Sequence, residues 1–293
     1  MQYKPQENLL TVIIPVFNEE TRLSRCIESL LSQTFVDMEI ILVDDGSSDG
    51  SRQLIAKYEE EFERIKALFL PHCGTMQARL CGVQHAAGKW IGFIDADDTM
   101  DADMYEKLIS AAQRLRADVV LCGYQQHFPD GRTTTYRTSH SETLLDRKNA
   151  LQLLLSREHV EMWSPCNKLF KRSLFSDELI SELCAISISH FEDLLMNYHL
   201  IKNATRIVAV PQCPYHYRIK YDSSSYLGSY RESCLDGLTI KELILQDADE
   251  NVRPFAKAFF LQSCTELYIY LRSRYAANHE YCQEVLDLII KHR

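Results

Sequence analysis

Short apolar segments alternate with amphipathic helical patterns along the first 125 residues of the chain. Between these segments, apolar side chains recur at intervals of three and four residues, which predicts helices. Short strands that are apolar on both faces and separated by helices are typical of a parallel sheet covered on both sides. We therefore predict an α/β fold with a mostly parallel, twisted sheet flanked by helices. The segments are 9–16, 40–43, 67–70, 90–94 and 119–124.

The pattern changes after residue 125, where a polar stretch precedes mainly helical periodicity. We divide the chain into a first half of a ligand site (1–125), a second half that completes it (126–222) and a helical C-terminal region (223–293). Within residues 1–125, Asp49 is predicted to be the N-cap of the second helix, and Gly88 is predicted to lie at the C-cap of the third.

Composition narrows the class of protein. A net charge of −9 argues against nucleic acid as the main partner, because the phosphate backbone attracts a basic face. No apolar run approaches the ~20 residues that span a bilayer, and the polar first eight residues do not form a signal peptide. The ten cysteines contain no C-x-x-C pair, which indicates free thiols in a reducing compartment. We expect a cytoplasmic protein.

Acidic clusters stand directly after two predicted strands, at 44–45 and 95–98. Because ligands bind beyond the carboxyl ends of parallel strands, these five carboxylates are predicted to share one crevice. Crowded carboxylates raise one another's pKa, and Mg²⁺ or Mn²⁺ would relieve that repulsion. For 44–49, ordinary turn and capping chemistry is an equal alternative. The chain has neither a P-loop nor a dinucleotide fingerprint, so a nucleotide would be held in another way.

These motifs resemble the inverting glycosyltransferases of family 2, which have the GT-A fold. One departure is Leu80, where the family usually has asparagine after the arginine. Within residues 1–125, the similar pieces are, in order, 11–18 (TVIIPVFN), 32–35 (SQTF), 41–49 (ILVDDGSSD), 78–82 (ARLCG), 87–91 (AGKWI) and 93–98 (FIDADD). Those of the second half are 167–170 (NKLF), 190–193 (HFED) and 215–218 (YHYR) with 223–225 (SSS).

The resemblance implies transfer of a sugar from a UDP-sugar to a hydroxyl of a saccharide or lipid-linked saccharide. Residues 1–125 would bind the nucleotide-sugar, and 126–222 would bind the acceptor and supply the base. Asp193 would be the general base, with Glu192 beside it. Asp97 would bind Mn²⁺ or Mg²⁺, or Asp98 would do so in its place, and Asp95 would belong to the same metal site through a metal-bound water or would hold the ribose. The implied donor contacts are Pro15, Phe17, Asn18, Asp44, Asp45, Arg79, Asp95, Ala96, Asp97, Tyr217 and Arg218.

Several of these residues have a plain structural alternative. Arg79, which is expected near the nucleobase or the phosphate of the donor, would otherwise form an ion pair on the surface of a helix. Glu192 and Asp193 are also typical of acidic residues at a helix N-terminus. His216 is expected to pack rather than to bind a metal. Trp163 either stacks on an acceptor sugar or belongs to the core.

The apolar C-terminal stretch 259–275 has three interpretations. It packs on the domain, forms a contact between subunits of a homo-oligomer, or lies on the inner surface of a membrane. Two other functions compete with catalysis. One is a phospho-acceptor signalling module, which also places acidic residues after strands. The other is a catalytically inactive protein on the same fold that binds a sugar nucleotide or acts as a scaffold.

Overall fold

The computed structural model describes residues 10–156, 158–186, 188, 190–220, 230–274 and 280–292. Its strands are β1 (Leu10–Val16), β2 (Met38–Asp45), β3 (Ile65–Leu70), β4 (Trp90–Phe93), β5 (Thr99–Met100), β6 (Val119–Leu121), β7 (Tyr124–His127), β8 (Thr133–Tyr136), β9 (Thr143–Leu145), β10 (Lys168–Lys171), β11 (Ile207–Ala209) and β12 (Tyr215–Arg218). Its α-helices are α1 (Leu23–Leu31), α2 (Ser51–Glu61), α3 (Thr75–His85), α4 (Met104–Leu115), α5 (Arg147–Leu154), α6 (Asp177–Cys184), α7 (Glu192–Asn203), α8 (Tyr230–Asp247), α9 (Arg253–Arg274) and α10 (Glu280–His292).

The large sheet has the strand order β3-β2-β1-β4-β10-β6-β11-β9. Strands β1 to β4 pair in parallel, with Ile13 opposite both Ile41 and Phe93. Strand β10 is antiparallel to β4 on one side and to β6 on the other, so the sheet is mixed. The predicted α/β architecture is confirmed. The inserted strand was not predicted, because four residues with two apolar side chains carry little periodic signal.

The centre of this sheet forms the core that fixes the site. Every residue of β1 and β2 is buried, and full burial of one aliphatic side chain contributes about 1.5–3 kcal/mol. Helix α3 lies close against β1 at Gly82, where an added Cβ would come within 2.5 Å of the Ile13 side chain. The glycine therefore sets the distance between α3 and the sheet, and with it the position of Arg79 one turn earlier.

Two predicted helix boundaries differ from the structure. The N-cap of α2 is Gly50, and Asp49 instead accepts hydrogen bonds from the backbone N–H groups of Glu20 and Ser51. Helix α3 ends at His85, and the N–H of Gly88 donates to the Thr11 hydroxyl at 2.9 Å. Both predicted caps act in tertiary contacts, which short-range sequence signals do not reveal.

A second, smaller sheet has the order β5-β12-β7-β8. Strand β12 pairs with β5, which directly follows the acidic loop 95–98, and with β7 on its other side. This pairing brings the aromatic and basic residues of 215–218 to the acidic loop, although more than a hundred residues separate them in sequence.

Helix α9 packs between α8 and α10, and α8 packs on α7. On α9, the side chains of Phe259, Phe260, Leu267 and Leu271 are buried, whereas Ile269 is exposed. This burial favours packing on the domain among the three interpretations of 259–275; Tyr275 lies outside the described residues. In the described part of the chain, no helix is both long enough and apolar enough to cross a membrane.

Candidate active site

A cleft of about 880 Å³ opens at the carboxyl ends of the parallel strands. It brings together β1, β2, the loop after β4, helices α3 and α7, and strand β12. Two predicted site residues, Asp44 and Asp98, are buried outside its lining. The predicted site residues that line it are Pro15, Phe17, Asn18, Asp45, Arg79, Asp95, Ala96, Asp97, Glu192, Asp193, Tyr217 and Arg218.

The turn after β1 presents an aromatic surface at the mouth of the cleft. Asn18 adopts a left-handed conformation (φ 55°), and its side-chain oxygen accepts from the N–H of Ser48 at 2.8 Å. This contact joins the turn to the loop after β2. Phe17 is 44% exposed and stacks on His72 with ring centroids 4.3 Å apart. His72 was not predicted, since a single histidine after a strand carries no motif.

Asp45 organises the loop that leads into α3. Its carboxylate accepts from the backbone N–H groups of Cys73 at 2.7 Å and of Gly74 at 3.0 Å. Gly74 has φ 98°, a conformation that favours glycine. Carboxylate oxygens have further lone pairs, so the implied contact of Asp45 with the nucleotide-sugar stays a prediction. Burial and the neighbouring Asp45 raise the pKa of Cys73 to about 12, which keeps that residue a neutral thiol.

Asp44 faces the interior. Its Oδ1 accepts from the N–H of Ser47 at 3.3 Å, which is turn chemistry. Its Oδ2 is buried and has no hydrogen-bond partner among the described residues. Asp44 does not line the cleft, and its predicted contact with the nucleotide-sugar stays a prediction.

Asp98 connects the acidic loop to β12. It is fully buried, and it accepts from the Tyr215 hydroxyl at 2.6 Å and from the Arg218 N–H at 2.8 Å. Burial, followed by the charges of Asp97 and Asp95, raises its pKa well above the ordinary range. Of the two residues that the sequence left open as metal ligands, Asp97 lines the cleft and Asp98 does not.

Asp97 faces a lysine that the sequence analysis did not identify. Lys220 Nζ lies 2.7 Å from Asp97 Oδ2 and also pairs with Glu19. Burial and the charge of Asp95 raise the pKa of Asp97, whereas Lys220 opposes that shift. No sequence signal marked Lys220, because the contact joins residues more than 120 positions apart.

Arg79 links the two sides of the cleft. Its side chain is 2% exposed, and it donates to Asp95 Oδ1 at 2.7 Å and to Asp193 Oδ1. Burial lowers the pKa of Arg79, but the carboxylates of Asp193 and Asp95 more than offset this and hold it above its ordinary value. The alternative of a surface ion pair is wrong, because the guanidinium is buried. Contact of Arg79 with the nucleobase or the phosphate of a bound nucleotide stays a prediction.

The carboxylates of Glu192 and Asp193 stand at the N-terminus of α7. The Asp193 side chain is 32% exposed, and burial raises its pKa while Arg79 opposes the rise. Burial and then the charge of Asp193 raise the pKa of Glu192 to about 7. Shifted carboxylates in a cleft are typical of proton transfer near neutral pH.

The residue before this pair holds an unusual conformation. Phe191 is left-handed (φ 64°), which costs free energy for a bulky side chain. Its ring packs edge-on against Trp163, with centroids 6.4 Å apart, and under Lys241 Nζ at 4.9 Å. An added Cβ at Gly237 on α8 would lie 2.9 Å from the same ring. Packing against the C-terminal helices therefore stabilises the conformation that directs the carboxylates into the cleft.

The two residues with open roles are also placed. Trp163 lines the cleft, and its indole N–H donates to the Leu154 carbonyl at 2.9 Å. It packs in an aromatic cluster with Phe191 and Phe259 and also faces the cleft, so stacking on an acceptor sugar stays a prediction. His216 pairs with His127 at 3.0 Å and with Asp101 at 2.8 Å. These contacts match the expectation that His216 packs within the structure.

The donor atoms of the acidic loop suit a hard divalent cation. Asp95 and Asp97 offer oxygens only, and Mg²⁺ usually takes one or two carboxylates together with substrate phosphates. Across the described ranges, no group of three or more His, Cys, Asp or Glu side chains is placed to hold a metal ion by itself. The residues therefore fit a cation that is completed by a bound diphosphate.

Comparison with known proteins identifies the family. The model of the family described as Glycosyl transferase family 2 matches residues 11–179, more than half of the chain. The chain belongs to glycosyltransferase family 2. The resemblance seen in the sequence is confirmed, and the interpretation as a phospho-acceptor signalling module is abandoned.

Relatives within family 2 agree with this assignment. The chain is 32% identical over 211 residues to "Uncharacterized glycosyltransferase EpsJ" of Bacillus subtilis (strain 168). That match covers 72% of this chain and 61% of EpsJ, so this chain spans less than two thirds of the length of that relative.

Solved structures show the same fold. TarS 1–349 of S. aureus in complex with UDP-GlcNAc has a TM-score of 0.74 at 18% identity, covering 97% of this chain and 81% of that chain. Mannosyltransferase PcManGT from Pyrobaculum calidifontis, in complex with GDP-Man and Mn2+, has a TM-score of 0.59 at 13% identity, with coverages of 97% and 84%. The predicted GT-A fold with a helical C-terminal region is confirmed.

Proposed function

We propose that this protein transfers a sugar from a UDP-sugar to an acceptor hydroxyl with inversion at the anomeric carbon. The observation that carries the proposal is the bridge from Asp95 through Arg79 to Asp193 within one cleft. The buried guanidinium of Arg79 thereby holds Asp95, on the sugar-donor side, at a fixed separation from Asp193, the candidate general base. Such positioning is what a direct displacement between two bound substrates requires.

The nucleotide would lie over the ends of β1 and β2. The exposed ring of Phe17 offers a face for the base, and Asp45 stands beside it. The preference for UDP is supported by the fold-level likeness to TarS, which was solved with UDP-GlcNAc. The likeness to PcManGT, solved with GDP-Man and Mn2+, keeps a divalent cation within the proposal and makes GDP the first competitor to test.

The diphosphate would lie between the acidic loop and β12. Asp97 and Asp95 would hold Mn²⁺ or Mg²⁺, which supplies positive charge where the leaving group develops negative charge. Arg218 lines the cleft, and its buried Nε makes no hydrogen bond within the described residues. A planar guanidinium with an unused donor suits phosphate oxygens. Residues 223–225, which form one motif with 215–218 in the family resemblance, lie outside the described residues.

Asp193 would act as the general base. Its carboxylate takes the proton from the acceptor hydroxyl as that oxygen attacks the anomeric carbon, and the bond from this carbon to the diphosphate oxygen breaks. Arg79 orients Asp193 and favours its charged form, and the neighbouring Glu192 has a raised pKa of its own. The acceptor would rest against Trp163, whose aromatic face suits a sugar ring. We take the acceptor to be a saccharide or lipid-linked saccharide at the cytoplasmic side of a membrane.

Calorimetric titration of UDP and GDP, with and without Mn²⁺, tests the donor site. We expect UDP to bind more tightly than GDP and to require the cation, and we expect Asp97→Asn to remove the effect of Mn²⁺. Absence of nucleoside diphosphate binding would overturn the proposal.

Replacement of the base separates an enzyme from an inactive binding protein. In Asp193→Asn we expect UDP affinity within about twofold of wild type and transfer reduced by at least about 100-fold, the usual effect of losing a general base. Wild-type protein that binds UDP but neither transfers nor hydrolyses any UDP-sugar would favour the inactive alternative.

A further inference from the structure

Lys220 holds a position in the donor site that none of the predicted roles explains. Its side chain is 14% exposed and lines the cleft, where its ammonium lies between Asp97 and Glu19. The backbone next to it is fixed, because the N–H of Ile219 donates to the His127 carbonyl at 2.9 Å. Lys220 thus follows an anchored strand by two residues, and its flexible four-carbon side chain carries a positive charge to the acidic loop.

The two partners of Lys220 differ in what else they can bind. Glu19 is also paired with Arg22 at 3.1 Å, and its N–H donates to the Ser51 hydroxyl at 2.8 Å, so it belongs to the structural turn after β1. Asp97 belongs to the loop whose oxygens suit a divalent cation. A cation at Asp97 and the ammonium of Lys220 therefore compete for the same carboxylate, whereas Glu19 keeps the ammonium nearby.

We propose that Lys220 is an exchangeable counter-ion of the donor site, which neutralises Asp97 and then passes its ammonium to the diphosphate oxygens of the bound nucleotide. This inference rests on the proposed function and adds a phosphate-binding residue to it. A lysine ammonium is a compact point charge on a flexible stem, suited to movement between two anions. The adjacent Arg218, with its unused Nε, would bind the same diphosphate as a fixed partner.

The exchange predicts that removing the Lys220 charge changes Mn²⁺ affinity and UDP affinity in opposite directions. Without nucleotide, Lys220 competes with Mn²⁺, so Lys220→Met binds Mn²⁺ several-fold more tightly than wild type. With nucleotide and saturating Mn²⁺, the same variant lacks one charge-assisted contact to phosphate and binds UDP about tenfold more weakly. A lysine that merely stabilised the loop would weaken both equilibria together.

Manganese is measured by electron paramagnetic resonance of the free ion with the full chain, and UDP by calorimetry. Lys220→Arg keeps the charge and should retain both affinities within about threefold. Lys89→Met removes the same charge from an exposed residue before β4 and should change neither. Thermal unfolding of each variant checks that it folds.

A second variant tests the exchange if Lys220→Met does not fold. Glu19→Gln leaves Asp97 as the charged partner of Lys220, so Mn²⁺ alone should bind several-fold more weakly. Wild-type Mn²⁺ affinity in folded Lys220→Met and Glu19→Gln, or parallel loss of Mn²⁺ and UDP binding in Lys220→Met, would overturn the exchange while leaving the transferase proposal intact. Failure of wild-type protein to bind UDP would overturn both.

Discussion

The hydroxyl of Tyr215 donates a hydrogen bond of 2.6 Å to the carboxylate of Asp98. This contact joins β12 to the acidic loop, and the N–H of Arg218 adds a second bond to the same carboxylate. Asp98 thus acts inside the protein, where it sets the distance between the acidic loop 95–98 and the strand that carries Tyr217 and Arg218.

Removal of the Tyr215 hydroxyl should weaken the connection between β12 and the acidic loop 95–98. Tyr215→Phe leaves a buried carboxylate oxygen without its donor, which costs about 1–3 kcal/mol of the free energy of unfolding. Denaturant unfolding measures the loss, and UDP affinity should fall in parallel. Tyr136→Phe, on strand β8 of the same small sheet, is the control and should stay within about 0.5 kcal/mol. Equal stability of the two variants would contradict the role given to Asp98.

The pH dependence of transfer should report the carboxylates of α7. Burial and Asp193 raise the pKa of Glu192 from its ordinary value of 4.5 to about 7. Glu192 and Asp193 are adjacent carboxylates that titrate as a pair, so the form of the site with a deprotonated base should accumulate, and kcat/KM should rise, as pH passes about 7, and then level off. Glu192→Gln removes the neighbouring charge and should move the midpoint to lower pH. A flat profile between pH 5.5 and 8 would contradict this assignment.

The same shift affects stability with the opposite sign. Because the folded-state pKa of Glu192 lies above its unfolded value, the folded protein binds this proton more tightly between about pH 4.5 and 7. The contribution of Glu192 to the free energy of unfolding is therefore fully present below pH 4.5 and falls as pH rises to about 7. At pH 8, Glu192→Gln should unfold at a higher temperature than wild type, and at pH 4.5 the difference should be smaller.

Loss of Arg79 should raise the proton affinity of the base. Arg79 lowers the pKa of Asp193, and Asp95 raises it. In Arg79→Met the two carboxylates face each other without a cation, so the midpoint of the kcat/KM profile should move up by about 1 unit or more. Arg147→Met, at the exposed start of α5, should leave the profile unchanged. An unshifted midpoint in active Arg79→Met would exclude control of Asp193 by this guanidinium.

The C-terminal helices should influence catalysis through one ring. In Gly237→Ala the new methyl group would meet Phe191 at 2.9 Å and displace the start of α7. We expect kcat to fall about tenfold with UDP affinity unchanged, since the donor residues lie on other elements. Gln246→Ala, at an exposed position of the same helix, is the control. Equal loss of UDP binding and kcat would indicate general unfolding instead of displaced carboxylates.

The sequence predicted those parts of the site that local patterns specify. Strand ends followed by acidic residues placed Asp95 and Asp97 in the cleft, because parallel strands share one edge. The burial of Arg79 between two carboxylates was missed, since a periodic pattern does not tell which partner a helix residue meets. The contact of Lys220 with Asp97 was missed for the same reason. Long-range pairing across the two sheets determines both.

The antiparallel strand β10 also constrains the order in which the protein can be made. A ribosome delivers β4 and β6 before residues 168–171, so both strands present open edges until the inserted strand arrives. Open edges pair readily with other chains. The nascent N-terminal part of the sheet is thus exposed to aggregation for the time needed to synthesise about fifty further residues, and a shortened chain ending near residue 125 would keep that hazard permanently.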